Sequence, residues 1–173
     1  VLGTVDGVIL VVDSFEGPMA QTRFVTQTAL ELGLVPIIVV NKIDRDGASP
    51  LKALDQVFDL FCELNASDDQ LNFAHVFASG RNGLCKKELD DPDKNVQILM
   101  DLILERIPSP KGDPQAEPLL QISSLEYSPF LGRLAVGRVL QGTFKPNLTV
   151  AQTLDNGKVK SVRIQKVLSY EGV

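Results

Sequence analysis

The stretch Val39 to Asp46 reads VVNKIDRD, and in it an apolar run breaks into a short polar turn. The run from Pro36 to Val40 has the composition of a buried strand, and Asn41, Lys42 and Asp44 come directly after it. A carboxylate placed like Asp44 can accept both the N1 hydrogen and the exocyclic amine of guanine as a bidentate pair. Adenine would leave the carboxylate unmatched, which typically costs about 1–3 kcal/mol. The turn therefore predicts a guanine-recognition loop.

The two other polar residues of the turn fit the same interpretation. Asn41 can either bond to another edge of the base or brace the loop, and the aliphatic stem of Lys42 can cover a ring face while its ammonium stays in water. The competing interpretation is an ordinary polar turn that leaves a buried strand, so the neighbouring elements decide between the two.

The elements before the turn predict a parallel crossover. Val8 to Val12 is a second continuous apolar run, expected to be a strand buried on both faces. Met19 to Leu32 has helical spacing, and Gly33 follows where a helix C-cap is expected. In such a strand, helix and strand unit, ligands bind beyond the carboxyl ends of the strands, which is where Asn41 to Asp44 fall.

A second repeat follows. A helix is predicted over about Ser49 to Leu64 and a strand over Phe73 to Ala78, and a loop of small residues, Ser79 to Gly83, comes next. A backbone N–H near Ser79 or Gly80 can donate to the guanine carbonyl oxygen, although the loop taken alone is more typical of an ordinary strand-to-helix turn.

Apolar spacing also predicts a last helix and the inward face of each helix. The last helix is predicted over Lys94 to Ile107, since Asp91-Pro92 is a typical helix start. The predicted inward residues are Phe24, Val25, Thr28, Ala29 and Leu32, then Leu51, Leu54, Phe58, Phe61 and Cys62, then Val96, Leu99, Met100 and Ile103.

The pattern changes after a proline-rich segment, Ile107 to Pro118, which is interpreted as a linker between domains. Beyond it, period-two apolar spacing and turn residues predict four strands, and Asn156-Gly157 is a strong hairpin signal. These strands are Leu119 to Tyr127, Gly132 to Gln141, Leu148 to Thr153 and Lys158 to Leu168.

Taken in order, VDGVILVVDSFEGPMAQTRFV, NKIDR and FASG resemble the second half of a translation-factor GTPase domain, and GRLAVGRV (132–139) resembles the β-barrel that follows it. Within that group the chain is most similar to the TypA/BipA family of ribosome-associated GTPases. The resemblance implies an α/β fold, with residues 1–113 as the C-terminal part of a P-loop GTPase domain and residues 114–173 as the start of a β-barrel that is incomplete. It also implies that Asn41, Lys42 and Asp44 contact the guanine and ribose of GTP or GDP, with Ser79 and Gly80 in the loop that closes on the base. Relatives more often carry alanine at the position of Gly80.

Other parts of that family's site have no counterpart in these 173 residues. No G-x-x-x-x-G-K-[ST] phosphate loop occurs, and Asp13 to Gly17 has one residue too many for the family's Asp-x-x-Gly turn. His75 alternates with aromatic residues inside a strand and is interpreted as structural. We therefore expect an internal fragment that has no catalytic residue and no ligand for the Mg²⁺ of the whole protein, and that does not hydrolyse GTP by itself.

Composition bounds the partners. The chain has 44% hydrophobic residues, and its two cysteines, Cys62 and Cys85, have neither metal nor disulfide spacing. Residues 1–113 contain 10 Lys and Arg against 18 Asp and Glu, whereas residues 114–173 contain 7 against 4. We expect a cytoplasmic protein that binds no membrane and no DNA, with the ribosome and ribosomal RNA as partners implied by the resemblance.

Three functional interpretations follow. The first is part of a TypA/BipA-type GTPase in translation, ribosome assembly or the stress response, with an elongation-factor-G-like or LepA-like GTPase as its alternative. The second is a non-enzymatic β-barrel that binds RNA or protein regardless of GTP. The third is an unrelated α/β enzyme, for which the sequence offers no catalytic dyad, metal cluster or phosphate loop.

Overall fold

The structure is a computed structural model that describes residues 2–92 and 94–169. It divides into two units, residues 1–109 and 110–173. The sequence instead predicts the boundary between the two domains at residues 113 and 114. The assignment of the two parts to a GTPase domain and a β-barrel domain stays a prediction.

The first unit is a five-stranded sheet with helices on both faces. The strand order is β1-β2-β3-β4-β5; β1, β2 and β3 are parallel, and β4 and β5 are antiparallel additions. The strands are β1 Gly7–Asp13, β2 Val35–Asn41, β3 Ala74–Ser79, β4 Leu84–Lys86 and β5 Lys94–Asn95. The helices are α1 Ala20–Glu31, α2 Pro50–Glu63, α3 Asp68–Leu71 and α4 Gln97–Arg106, with a short 3-10 turn at Leu2–Thr4.

Two apolar cores lie on opposite faces of this sheet. Helix α2 packs Val57 and Phe61 against β1, β2 and β3 on one face, and α4 packs Leu102 against β2, β3 and β4 on the other. Strand β2 is buried on both faces, as expected for a parallel strand between two helix layers. The predicted mixture of parallel strands and crossover helices is therefore confirmed.

The expectation that Val8 to Val12 is buried on both faces is wrong. Leu10 and Val12 are buried, but Ile9 and Val11 are 45% and 57% exposed. Strand β1 lies at the edge of the described sheet, and the core that includes α4 contains no buried residue of β1, so the face of β1 that carries Ile9 and Val11 is mostly exposed.

The predicted helix faces are only partly right. The buried residues of α1 are Thr26 and Ala29, while Phe24, Val25 and Leu32 are exposed. In α2 the buried set is Ala53, Val57, Leu60 and Phe61, so Leu51, Phe58 and Cys62 point outward, and in α4 Val96 and Met100 are exposed. Apolar residues lie around much of each helix, and hence spacing alone did not fix which side packs on the sheet.

The last helix begins later than predicted. Lys94 and Asn95 form β5, which pairs with Cys85 and Leu84 of β4, and α4 starts at Gln97. Ladder pairing with β4 thus replaces the helix start that Asp91-Pro92 predicted.

The second unit contains two antiparallel hairpins. Strands β6 Leu119–Ser128 and β7 Gly132–Gln141 form one, and β8 Thr149–Thr153 and β9 Val159–Arg163 form the other. The last strand is shorter than the predicted Lys158 to Leu168. Within residues 110–169 these are two separate two-stranded sheets, and no closed barrel is formed there.

The proline-rich segment is not a free linker along its whole length. The backbone N–H of Gly142 donates to the carbonyl of Asp113 at 2.9 Å, and the Thr143 hydroxyl donates to the carbonyl of Pro114 at 3.1 Å. Its second half is therefore bonded to the end of β7 and belongs to the second unit.

Candidate nucleotide site

The candidate site lies where β1, β2 and β3 end. Asp13, Asn41 and Ser79 are the last residues of these three strands, and Asp13 is paired in register with Asn41. Because parallel strands present their carboxyl ends at the same edge, the Asn41 to Asp44 turn and the Ser79 to Gly83 loop lie side by side.

The side chain of Asn41 joins the two loops. Its Oδ1 atom accepts the backbone N–H of Lys42 at 2.8 Å and that of Gly80 at 2.9 Å. The backbone N–H of Ile43 donates to the carbonyl of Ala78 at 3.2 Å, which adds a second connection. The bracing role predicted as one of two for Asn41 is therefore present in the structure.

The Gly80 N–H accordingly points at Asn41 in this structure, whereas the sequence assigned an N–H near Ser79 or Gly80 to the base. This bond cannot be predicted from local sequence pattern, because Asn41 and Gly80 are 39 residues apart. A Cβ atom added at Gly80 would lie 3.5 Å from the Asn41 side chain, an ordinary contact. Alanine therefore fits at this position.

Asp44 is exposed at the mouth of the site beside buried Ser79. The pKa of the Asp44 carboxyl is held below its ordinary value, mainly by a hydrogen bond from the Ser79 side chain. A hydrogen bond from the backbone N–H of Asp44 and the positive charge of Arg81 make smaller contributions in the same direction. The carboxylate is thus ionised at neutral pH and open to a ligand that offers two N–H donors.

Lys42 adopts a left-handed backbone conformation with φ of 63°, which is uncommon for a residue that has a side chain. Its ammonium donates to Asp13 Oδ2 at 2.7 Å, so its stem is drawn toward the end of β1. The Ser14 hydroxyl donates to the Lys42 carbonyl at 2.8 Å, and Ser14 itself is buried.

Asp13 and Ser14 were not singled out from the sequence as site residues. The available signal was the polar residue that ends the VILVV run, as Asn41 ends the run of β2. The Asn41 to Asp44 turn thus contacts the end of β3 on one side and the Asp13 to Gly17 turn on the other. Together these segments offer carboxylates, an amide and backbone N–H groups, and this set of donors and acceptors can match the edges of a purine base.

Comparison with known proteins shows the family to which the chain belongs. The family described as elongation factor Tu GTP binding domain matches residues 1–109, and the chain belongs to that family. Over all 173 residues the chain is 48% identical to the large ribosomal subunit assembly factor BipA of Synechocystis sp., of which it covers 29%. It is 45% identical to BipA of Haemophilus influenzae and 43% identical to BipA of Escherichia coli K12, covering 28% of each.

Solved structures agree on the fold. Translation elongation factor SelB from Methanococcus maripaludis in its apo form superposes with a TM-score of 0.63 and 16% identity, covering 92% of this chain and 36% of SelB. The same factor in complex with the GTP analogue GppNHp gives a TM-score of 0.61 at 16% identity, over 94% of this chain and 36% of SelB. The predicted translation-factor GTPase fold and the resemblance to the TypA/BipA family are confirmed.

Among residues 2–92 and 94–169, no group of three or more His, Cys, Asp and Glu side chains is arranged to hold a metal ion. No helix in the same ranges has the length and apolar character needed to cross a membrane. His75 is half-buried within β3, its ring edge lies against Phe77 at 5.4 Å between centroids, and burial lowers its pKa.

Proposed function

We propose that the Asn41 to Asp44 turn and the Ser79-Gly80 loop bind the guanine base of GTP or GDP. The observation that carries the proposal is that Asn41 Oδ1 accepts hydrogen bonds from the N–H groups of both Lys42 and Gly80, which holds the two loops side by side at the ends of β2 and β3. Asp44 takes the N1 hydrogen and the exocyclic amine, and the Lys42 stem lies against the ring face.

Binding is proposed to exchange one hydrogen bond. The Gly80 N–H leaves Asn41 Oδ1 and donates to the guanine carbonyl oxygen, while Lys42 N–H continues to bond to Asn41. Adenine has no oxygen at that position and would leave the Gly80 N–H with Asn41. The loop therefore adds to the selection that Asp44 makes.

The whole protein is proposed to be a GTPase of the BipA type that associates with the ribosome and acts in assembly of the large subunit. The support is the match to BipA sequences over the full chain at 42–48% identity, which favours this reading over the elongation-factor-G-like and LepA-like alternatives. The chain spans 28–29% of the length of those relatives. The Mg²⁺ of such a GTPase would neutralise phosphate charge, and none of the contacts described here requires it.

The second unit is proposed to face ribosomal RNA in a cytoplasmic protein that has neither a membrane nor DNA as partner. The support for RNA contact is the excess of basic residues between residues 114 and 173, which contain 7 Lys and Arg against 4 Asp and Glu. Phosphate contacts release counterions, so binding to ribosomal particles should weaken as salt rises, and Arg133→Ala should flatten that dependence.

Nucleotide competition tests the base site. In the whole protein we expect the affinity order GDP, then inosine diphosphate, then ADP, because the inosine base lacks the exocyclic amine and retains only one of the two donors to Asp44. Asp46→Asn, which removes a carboxylate two residues after Asp44 and outside the Asn41 to Asp44 turn, is the matched control and should keep the order. Equal affinity for GDP and ADP would overturn the proposal.

A further inference from the structure

Lys42 is fixed from both ends by residues outside the two base-binding loops. The Ser14 hydroxyl donates to the Lys42 carbonyl at 2.8 Å, and the Lys42 ammonium donates to Asp13 Oδ2 at 2.7 Å. Because the backbone of Lys42 is in the left-handed region, these contacts hold a conformation that the residue rarely adopts by itself.

Asp13 is rigidly placed for this contact. Its Oδ1 atom accepts the backbone N–H groups of Phe15 and Glu16 at 2.8 and 3.2 Å, which leaves Oδ2 for cations. Its side chain is only 13% exposed, whereas that of Lys42 is 57% exposed. The anion is therefore the fixed partner, and the lysine is the side chain whose freedom the pair restricts.

A second cation, Arg45, follows the Asn41 to Asp44 turn directly and also contacts Asp13. The Arg45 guanidinium lies 3.5 Å from Asp13 Oδ2 and 3.6 Å from Glu16 Oε1, and it is stacked on the Phe15 ring at 4.4 Å from the centroid. The Asp13 to Glu16 turn thus contacts residues on both sides of Asp44, at positions 42 and 45.

We propose that Asp13 is a positioning residue of the guanine site. Through its ion pair with Lys42 it sets the direction of the lysine stem before nucleotide arrives, so that the stem already lies where the ring face binds. The inference rests on the proposed function and deepens it, since Asp13 lies outside both loops assigned to the base. Pre-ordering a long side chain raises affinity by reducing the entropy that binding must remove.

The variant Asp13→Asn separates charge from turn geometry. The amide oxygen can still accept the N–H groups of Phe15 and Glu16, but the ion pairs of Asp13 with Lys42 and with Arg45 are lost. In the whole protein we expect Asp13→Asn to weaken GDP binding by about tenfold, and Asp46→Asn, of equal charge change, to leave binding unaltered.

A double-mutant cycle shows whether Asp13 acts through Lys42. Lys42→Met keeps the apolar stem and removes the ammonium, so it should weaken GDP binding like Asp13→Asn, and the combined variant should be no weaker than Lys42→Met. If Asp13→Asn does not fold, Lys42→Met still tests the ion pair between Asp13 and Lys42, because the Lys42 side chain is exposed and its replacement should leave folding intact. A Lys42→Met protein with wild-type affinity overturns the inference, as does an additive double variant.

A spectroscopic measurement without nucleotide separates this inference from the proposed function. The side-chain ammonium signal of Lys42 in nitrogen-15 NMR should be protected from hydrogen exchange in the wild type and lost in Asp13→Asn. A wild-type protein that prefers GDP, with no Lys42 signal protected by Asp13, overturns the positioning role alone. A wild-type protein with no preference for GDP overturns the proposed function and the inference together.

Discussion

The backbone N–H of Gly80 donates to the side-chain oxygen of Asn41 at 2.9 Å, across 39 residues of sequence. The bond connects the end of β3 to the turn after β2, and the same oxygen also holds the Lys42 N–H. One amide therefore sets both the shape of the first loop and its distance from the second.

Substitutions at Asn41 should separate bracing from base contact. Asn41→Ala leaves the N–H groups of Lys42 and Gly80 without their acceptor, so we expect a loss of about 0.5–1.5 kcal/mol in the free energy of unfolding. Asn41→Asp keeps the acceptor but lacks the amide donor, so it should retain stability and still bind GDP more weakly. Urea unfolding and GDP titration of both variants make the comparison. Wild-type GDP affinity in Asn41→Asp would limit Asn41 to bracing.

Gly80 should tolerate a methyl group but not the loss of its N–H. A Cβ atom at this position lies 3.5 Å from Asn41, so Gly80→Ala should bind GDP within about twofold of the wild type. Gly80→Pro removes the donor and should weaken binding at least about tenfold, because the guanine oxygen loses its partner. Calorimetric titration of the two variants is the check, and equal affinities would exclude the Gly80 N–H from the site.

Titration of Asp13 should report its ion pair. The Lys42 side chain, together with the Phe15 N–H, lowers the pKa of Asp13 from its ordinary value of 3.8 to about 2. A carboxyl whose pKa is lowered by folding adds stability above its unfolded pKa, and this stability is lost as pH falls from about 4 through about 2. Carbon-13 NMR of the Asp13 carboxyl should give a midpoint near 2 in the wild type and a higher one in Lys42→Met. An unchanged midpoint would mean that Lys42 does not hold Asp13.

The exposed edge of β1 should promote self-association of the 173-residue chain. Ile9 and Val11 are 45% and 57% exposed on an edge strand that carries no charge between them. We expect the chain to scatter more light as its concentration rises and to bind a hydrophobic dye. Both the scattering and the dye binding should decrease markedly in Val11→Lys. Leu104→Lys, at an 81% exposed position on α4, is the control. If this control reduces association equally, the β1 edge is not its cause.

The sequence predicted those features of the site that depend on local pattern. Apolar runs that end in polar residues located the three strand ends, and the NKID turn gave Asn41, Lys42 and Asp44. The Asp13 to Lys42 ion pair could not be predicted, since it requires the register that aligns Asp13 with Asn41.

Helix orientation was the weakest part of the sequence prediction. In α1 the chain buries Thr26 and Ala29 and exposes Phe24, although apolar spacing alone favours Phe24 as an inward residue. The β5 strand was missed for a different reason, namely that its pairing with β4 is a tertiary contact that overrides a local helix signal. Both failures concern partners distant in sequence.

The measurement that tests the central claim most directly is the nucleotide preference of Asp44→Asn in the whole protein. The amide loses the bidentate acceptor pair that guanine needs, and it offers a donor that suits the C2 oxygen of xanthine. We predict that GDP affinity falls at least about tenfold while xanthosine diphosphate becomes the better ligand, with Asp46→Asn unchanged. An Asp44→Asn protein that still prefers GDP would contradict the assignment of the base site.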